Sequence, residues 1–392
     1  MAVIKPTWQA IWSVPTADLS VYGSKVGSGT LGIASNVLSI PYQTRFDPTR
    51  LLDTPTTFEA IQAAAGTFQA EDPGAGLTVT WFYAIGTGAG NEVLLKLVRV
   101  DATHYTITLA DTGSLSSAGT TQFLFGTAYP WLLEQNGTTW RLWFGSSATP
   151  ECSFAKATQC LSFGVAGPIR LGDQGATADV TKKVYLSPIW VGSYDTIASR
   201  PDPSAASYDK LGLGAGTPLF TGWASGTGAG DYLEADDWLT GNSDTTTYWG
   251  HAGVASAQYD RTAETVNPTV SGTIFGVATY FLSLVATAGK TNTIGALISD
   301  GGSNTVYGTR ENDLSTTYGP HGAIHVLDPA GAAWAAAGLN SLEIGASTIV
   351  WAAAANGGRL TAIQGEVIGF TVGFAPGVPS ATRRRALAAQ IV

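Results

Sequence analysis

Charge is what this chain has least of. Only 12% of its 392 residues are Asp, Glu, Lys or Arg, against about 25% in an average soluble protein. This is not the poverty of a disordered chain, because 44% of the residues are hydrophobic and 12 are Trp, ample material for a core. Gly, with 48 residues, and plentiful Ala and Thr fill the gap, as in an all-β protein with tight turns and a neutral, hydroxyl-rich surface. The net charge of −9 excludes the electrostatic footprint of a nucleic-acid binder. The one basic run, Arg383-Arg384-Arg385, reads as the solvated face of a terminal helix.

Cysteine is nearly absent too. Cys152 and Cys160 could be brought together by a hairpin or remain as free buried thiols, the expected state in a cytosol. With four His, no metal-ligand spacing arises. His321 and His325 fall in a strand pattern, where residues i and i+4 stand ~13 Å apart, so no zinc site is expected. No run of about 18 apolar residues occurs, so no membrane span is expected. The segment MAVIKPTWQAIWSV lacks the basic and apolar regions of a secretory signal.

What the chain does have is strands. Residues 77–85 (LTVTWFYAI), 92–100 (EVLLKLVRV) and 104–109 (HYTITL) are β-rich runs separated by turn clusters at about ten-residue spacing, the rhythm of a sandwich or barrel. Residues 131–144 (WLLEQNGTTWRLWF) place Asn136-Gly137, a strong hairpin signal, between two apolar runs. Beyond the hairpin, Trp140, Leu142 and Phe144 alternate with Arg141 and Trp143. Further strands are expected over 272–286, 293–299, 304–309, 321–327, 341–344, 348–353 and 365–373. Helical signals are few: 56–65 (TTFEAIQAAA), 332–337 around Trp334, and 380–391 with Ser380 as N-cap. The fold class expected is all-β: two tandem antiparallel β-sandwich (jelly-roll) domains with a short C-terminal helix. Residues 1–200 form the first, 201–207 a Pro-containing linker within SRPDPSAAS, and 208–392 the second.

Two resemblances sharpen this reading. The hairpin at 131–144, followed by PIRLGD (168–173) and VYLSPIWV (184–191), resembles concanavalin A-like, laminin-G-like jelly rolls over residues 68–193. Gly145-Ser146 stands where that family usually carries an Asn-Gly turn. Within residues 309–347, Tyr318, Asp328-Pro329, Gly331, Trp334, Leu339-Asn340, Leu342 and Gly345 resemble a β-sandwich module that recurs in structural proteins of tailed bacteriophages. That resemblance implies a virion component, a capsid decoration or minor tail/receptor-binding protein, assembled in the host cytoplasm. Its partners would be other virion proteins and a host-surface glycan, with no nucleic acid, and copies would self-associate, a trimer being favoured. The alternative is a secreted carbohydrate-binding or glycan-cleaving protein.

Candidate chemistry follows from these resemblances and from the residues. On a strand, Glu234 and Asp236 would share a face about 7 Å apart, a separation that suits paired-carboxylate glycoside hydrolysis. Glucanases of the concanavalin A-like class add a third carboxylate, where this chain has Trp238 and Leu239, so no enzyme and no catalytic residue is expected. Trp143, Trp81 and Tyr83 are the candidate glycan-binding aromatics, Trp143 because it is out of phase with Trp140. Asp173 and Asp179 bracket a Gly-containing loop and are the candidate calcium ligands, calcium being the only cofactor entertained. The two GTGAG segments at 86–90 and 226–230 are hairpin turns, since no Lys-Ser/Thr or helix follows them.

Overall fold

The computed structural model of the chain describes residues 4–10, 19, 23–48, 59–85, 92–145, 149–156, 169–173, 179–214, 220–221, 223–225, 249–251, 258–266, 268–285, 292–302, 304–308, 311–313, 316, 319–340, 342–350 and 358–370. The Cys160, Glu234, Asp236, Tyr318 and 380–391 readings lie outside them. Among the described residues there is no helix of seven residues or more, and the sheets are antiparallel. No helix among them is long and apolar enough to cross a membrane. Contacts part these residues into two compact units, one running to Ala206 and also taking in Phe370, and one spanning Ser207–Gly369.

Among the described residues the first unit contains sixteen strands. They are β1 (Ile4–Ala10), β2 (Gly23–Gly27), β3 (Gly32–Ala34), β4 (Val37–Pro41), β5 (Thr44–Pro48), β6 (Ile61–Ala70), β7 (Thr78–Ile85) and β8 (Glu92–Arg99). There follow β9 (His104–Asp111), β10 (Ser116–Ala118), β11 (Phe123–Leu124), β12 (Tyr129–Asn136), β13 (Thr139–Phe144), β14 (Cys152–Ala155), β15 (Ile169–Gly172) and β16 (Lys183–Tyr194). They form two eight-stranded sheets. Sheet A runs β14-β13-β12-β6-β16-β4-β3, with β1 also on β16, and sheet B runs β10-β9-β8-β7-β15-β5-β2, with β11 on β9.

Period-2 alternation explains the core. Inward side chains of both sheets meet as a dense aromatic cluster: Trp81 lies 4.1 Å from Phe68 and 5.2 Å from Trp131, and Phe144 packs edge-on to Phe68 and Tyr105. The β12–β13 hairpin turns at Gly137-Thr138, with Asn136 opposite Thr139 and Gly137 at φ 59°, as a turn with Gly at its first central position requires. On β14, burial pushes the Cys152 thiol up to about 11, and it donates to the Ile107 carbonyl at 3.4 Å.

Two expectations are corrected here. Residues 61–65, read as part of a helix, lie in β6 between β12 and β16. Their Ala residues suit a helix intrinsically, but tertiary context decides. Ala63, Ala64 and Ala65 are wholly buried in a central strand flanked by Trp131 and Trp190. A side chain at Gly66 would come within 2.5 Å of the Pro188 carbonyl oxygen. The second concerns the segment 201–207 read as a linker, which is packed over its first half, although the two compact units do part within it, between Ala206 and Ser207. Ser199, Arg200, Pro201, Asp202 and Pro203 are buried. Asp202 caps the 3-10 turn Pro203–Ala205, which packs on β12 and β6.

The second unit contributes β17 (Ser207–Gly214), β18 (Phe220–Thr221), β19 (Trp223–Ser225), β20 (Trp249–His251), β21 (Gln258–Val266) and β22 (Thr273–Val285). It continues with β23 (Asn292–Ser299), β24 (Thr305–Tyr307), β25 (Glu311–Asp313), β26 (Gly319–His325), β27 (Glu343–Val350) and β28 (Gly358–Phe370). Strand β17 changes partner midway, pairing with β28 over Ser207–Leu211 and with β21 over Gly212–Gly214. One core gathers Leu211, Val277, Phe281, Ile294, Ile344 and Val367 around Trp334. The helical turn expected at 332–337 is a 3-10 turn at Ala336–Leu339, with Trp334 just before it.

Strand β26 ends in His325, 6% exposed, whose ring Nε2 meets no partner among the described residues. Burial drives this imidazole down from 6.5 to about 4. Between those values the unfolded chain binds the extra proton, so stability is lost as pH falls from 6.5 toward 4. At about 1.4 kcal/mol per pH unit, the loss is about 3 kcal/mol. The urea midpoint should fall over this window and fall less in His325→Gln. Equal slopes for the two proteins would show that the ring is hydrated.

Candidate functional site

The structure separates the residues expected to act together. Trp81 has no exposed surface. A register shift between Thr80 and Phe82 leaves both Trp81 and Phe82 in the aromatic core, so no sugar can reach Trp81. Trp143 does point to the outer face of sheet A, as its phase on β13 requires, but that face is covered. The Arg200 guanidinium lies 4.3 Å from the centre of its ring, and Trp143 is 4% exposed.

The cover is held by a buried carboxylate. Glu134, opposite Arg141 on the β12–β13 hairpin, has no exposed surface. Its Oε2 accepts from Arg200 Nη2 at 2.7 Å and Nε at 2.8 Å, and also from the Tyr194 hydroxyl. Arg141 Nη1 stands 3.4 Å from Oε1. Burial, then the adjacent Glu134 carboxylate, holds the Tyr194 phenol well above its ordinary range. This group is a clamp that fastens residues 195–206 to the sheet, and it leaves Trp143 no free face.

Tyr83 is the aromatic that remains available. It is half-buried on β7, between Arg170 of β15 and Leu94 of β8. Its neighbours Phe82 and Ala84 turn into the core, so its ring belongs to the outer face of sheet B. A ladder of charges crosses the same face. Arg45 donates to both oxygens of Asp47 at 2.8 and 2.9 Å. Arg170 Nη1 donates to Glu92 at 2.8 Å, and its Nε stands 3.9 Å from Asp47. The order Glu92–Arg170–Asp47–Arg45 thus joins β8, β15 and β5 across β7. All four side chains are 22–35% exposed.

Asp173 closes the other side. Its carboxylate accepts from the Thr80 N–H at 3.2 Å. Burial, followed by the Asp173 charge, pushes the Tyr83 phenol up to about 12. Gly172 makes this approach possible: its φ is +82°, and a side chain there would come within 2.3 Å of the Thr44 carbonyl oxygen. The structure therefore brings Tyr83 and Asp173 together, whereas Trp81 and Trp143 go elsewhere. Asp179 is not drawn into the same group. Its carboxylate closes a local turn, accepting from Thr181 N–H and Oγ1 at 2.9 and 2.8 Å. Among the described residues no group of three or more His, Cys, Asp or Glu is placed to hold a metal ion.

The Tyr83 face offers an aromatic plane bordered by fixed donors and acceptors. Such a surface can bind a flat polyol by stacking and hydrogen bonding. Arg45, Asp47, Glu92 and Arg170 were not legible as a group, because they come from three strands distant in sequence.

No protein-family model matches the chain, and no curated protein matches it in sequence. Three solved structures to which it is similar span about half of it. Domain 4 of AbnA, a GH43 extracellular arabinanase from Geobacillus stearothermophilus, in complex with arabinotriose, is 12% identical over 49% of this chain and 95% of that one, at a TM-score of 0.34. A beta-1,3-glucanase from Mycobacterium marinum is 10% identical over 47% and 98%, at 0.33. The CBM2 module of the evolved Dit of Lactobacillus casei BL23 phage J-1 is 11% identical over 50% and 90%, at 0.30. At such scores these likenesses assign neither an activity nor a ligand.

Proposed function

We propose that this chain is a surface-exposed structural component of a bacteriophage particle, either a capsid decoration or a tail-associated protein. It attaches to other virion proteins and contacts a host glycan, without catalysis. The observation that carries the glycan contact is the half-exposed Tyr83 ring set among the Arg45–Asp47 and Arg170–Glu92 pairs. Each carboxylate of the ladder is engaged by a guanidinium, an arrangement suited to recognition rather than to acid–base work on a bond. The particle assignment is supported by the resemblance of residues 309–347 to the tailed-phage module. Within that segment, Trp334, Leu339 and Leu342 all contribute to the core.

Finding the chain by mass spectrometry in purified particles tests the assignment, and its absence from washed particles would overturn it. A hydrolysis assay on polysaccharides, with Glu234→Gln as control, tests the absence of catalysis. Sugar release lost in that variant would make the protein a glycan-cleaving enzyme instead. Light scattering tests self-association, and a monomer at working concentration would leave the symmetry of its copies to the particle.

A further inference from the structure

We infer that the Tyr83 face takes an uncharged, hydroxyl-rich sugar and turns acidic sugars away. This rests on the glycan-binding reading above and adds the class of ligand. The argument lies in which groups already hold the cations. A uronate, sulfate or phosphate is normally gripped by a guanidinium fork. Here the fork of Arg45 is spent on both oxygens of Asp47, and Arg170 is held between Glu92 and Asp47. To be gripped by a fork, an acidic ligand would have to displace one of these carboxylates and then sit beside it, like charge against like. Three carboxylates, Asp47, Glu92 and Asp173, stand against two guanidiniums and the Lys96 ammonium on this face, so it carries no surplus of positive charge, and at Tyr83 the field of Asp173 outweighs the opposing field of Arg45. The whole chain, at −9, repels an anionic polymer further.

A neutral hydroxyl meets no such conflict. It donates to a carboxylate oxygen and accepts from a guanidinium N–H that the ladder leaves over, while a sugar's C–H face lies against the Tyr83 ring. The point on this face where an acidic ligand would have to be held is Lys96, which stands across from Thr80 on β8.

The test is binding of the full chain to neutral hexasaccharides of glucose, galactose, mannose and rhamnose, and to hyaluronan and polygalacturonate fragments, at low and high salt. Neutral sugar should bind with an affinity that salt does not change. Tyr83→Ala and Arg170→Ala should each weaken it about tenfold or more, whereas Lys96→Ala retains it, thermal midpoints confirming that each variant is folded. Preference for the acidic fragments, falling with salt and lost in Lys96→Ala, overturns the inference and leaves glycan binding standing. Neutral binding that survives both Tyr83→Ala and Arg170→Ala places the sugar elsewhere and overturns it too. Failure of every sugar to bind overturns this inference and the glycan reading together.

Discussion

Arg200→Ala is expected to destabilise the first unit by about 3–5 kcal/mol, the cost of leaving a buried charge without its partner. Arg200 is 4% exposed and Glu134 has no exposed surface. The variant removes both guanidinium hydrogen bonds at once. The Tyr194 hydroxyl and the more distant Arg141 cannot replace a full charge delivered through two N–H groups. The loss also strips the cation from the face of Trp143, worth about 2 kcal/mol in a desolvated setting and part of the same total. Arg200→Lys should fall between, because an ammonium restores charge but not the fork. Urea unfolding followed by Trp fluorescence measures the difference. A midpoint unchanged in Arg200→Ala would show that water reaches Glu134 and that the clamp is a surface contact.

The second large effect belongs to Trp334→Ala, expected to cost the second unit about 3–5 kcal/mol. Trp334 is 7% exposed and packs in the core with Leu211, Phe281 and Leu339. Its flanking residues Ala332, Ala333, Ala335 and Ala336 are exposed, so no neighbour can swing in to fill the space. The indole N–H donates to the His325 carbonyl at 2.8 Å, and that acceptor loses its partner as well. Trp334→Phe should keep most of the packing and lose the hydrogen bond, at about 1–2 kcal/mol. Calorimetry separates the outcomes: equal midpoints for Trp334→Ala and the parent would mean that the side chain is solvated.

Much of this architecture was legible because strands advertise their faces. The alternation in HYTITL and in TWRLWF sets Tyr105 with Ile107, and Trp140 with Leu142, on one face of each strand, and those are the faces that are buried, while Trp334 stood out as the only bulky group in an Ala-rich stretch. What alternation cannot reveal is what lies on the far side of a face. Trp143 was read as outward and is outward, yet Arg200, many residues away, lies over it. Trp81 misled for a local reason, since one residue of register shift in β7 turned an expected surface aromatic into a core one. Residues 61–65 misled because helix propensity is local, while the demand for small side chains beside Trp131 and Trp190 is not. The Tyr83 face shows the same limit. Its aromatic and one acid, Asp173, could be named in advance, but the ladder exists only once β5, β8 and β15 lie in one sheet.

The place of β16 in sheet A also governs how the chain is made. Its neighbours β1, β4 and β6 all lie within the first seventy residues, and they pair with it directly. A ribosome must therefore emit residue 194 before sheet A can close. Throughout that interval β4 and β6 travel with open edges, the condition under which strands pair with the wrong chain. Distant pairings of this kind also make for slow folding, so a cell gains most folded protein when few copies are made at once and each nascent chain is spared the company of its siblings.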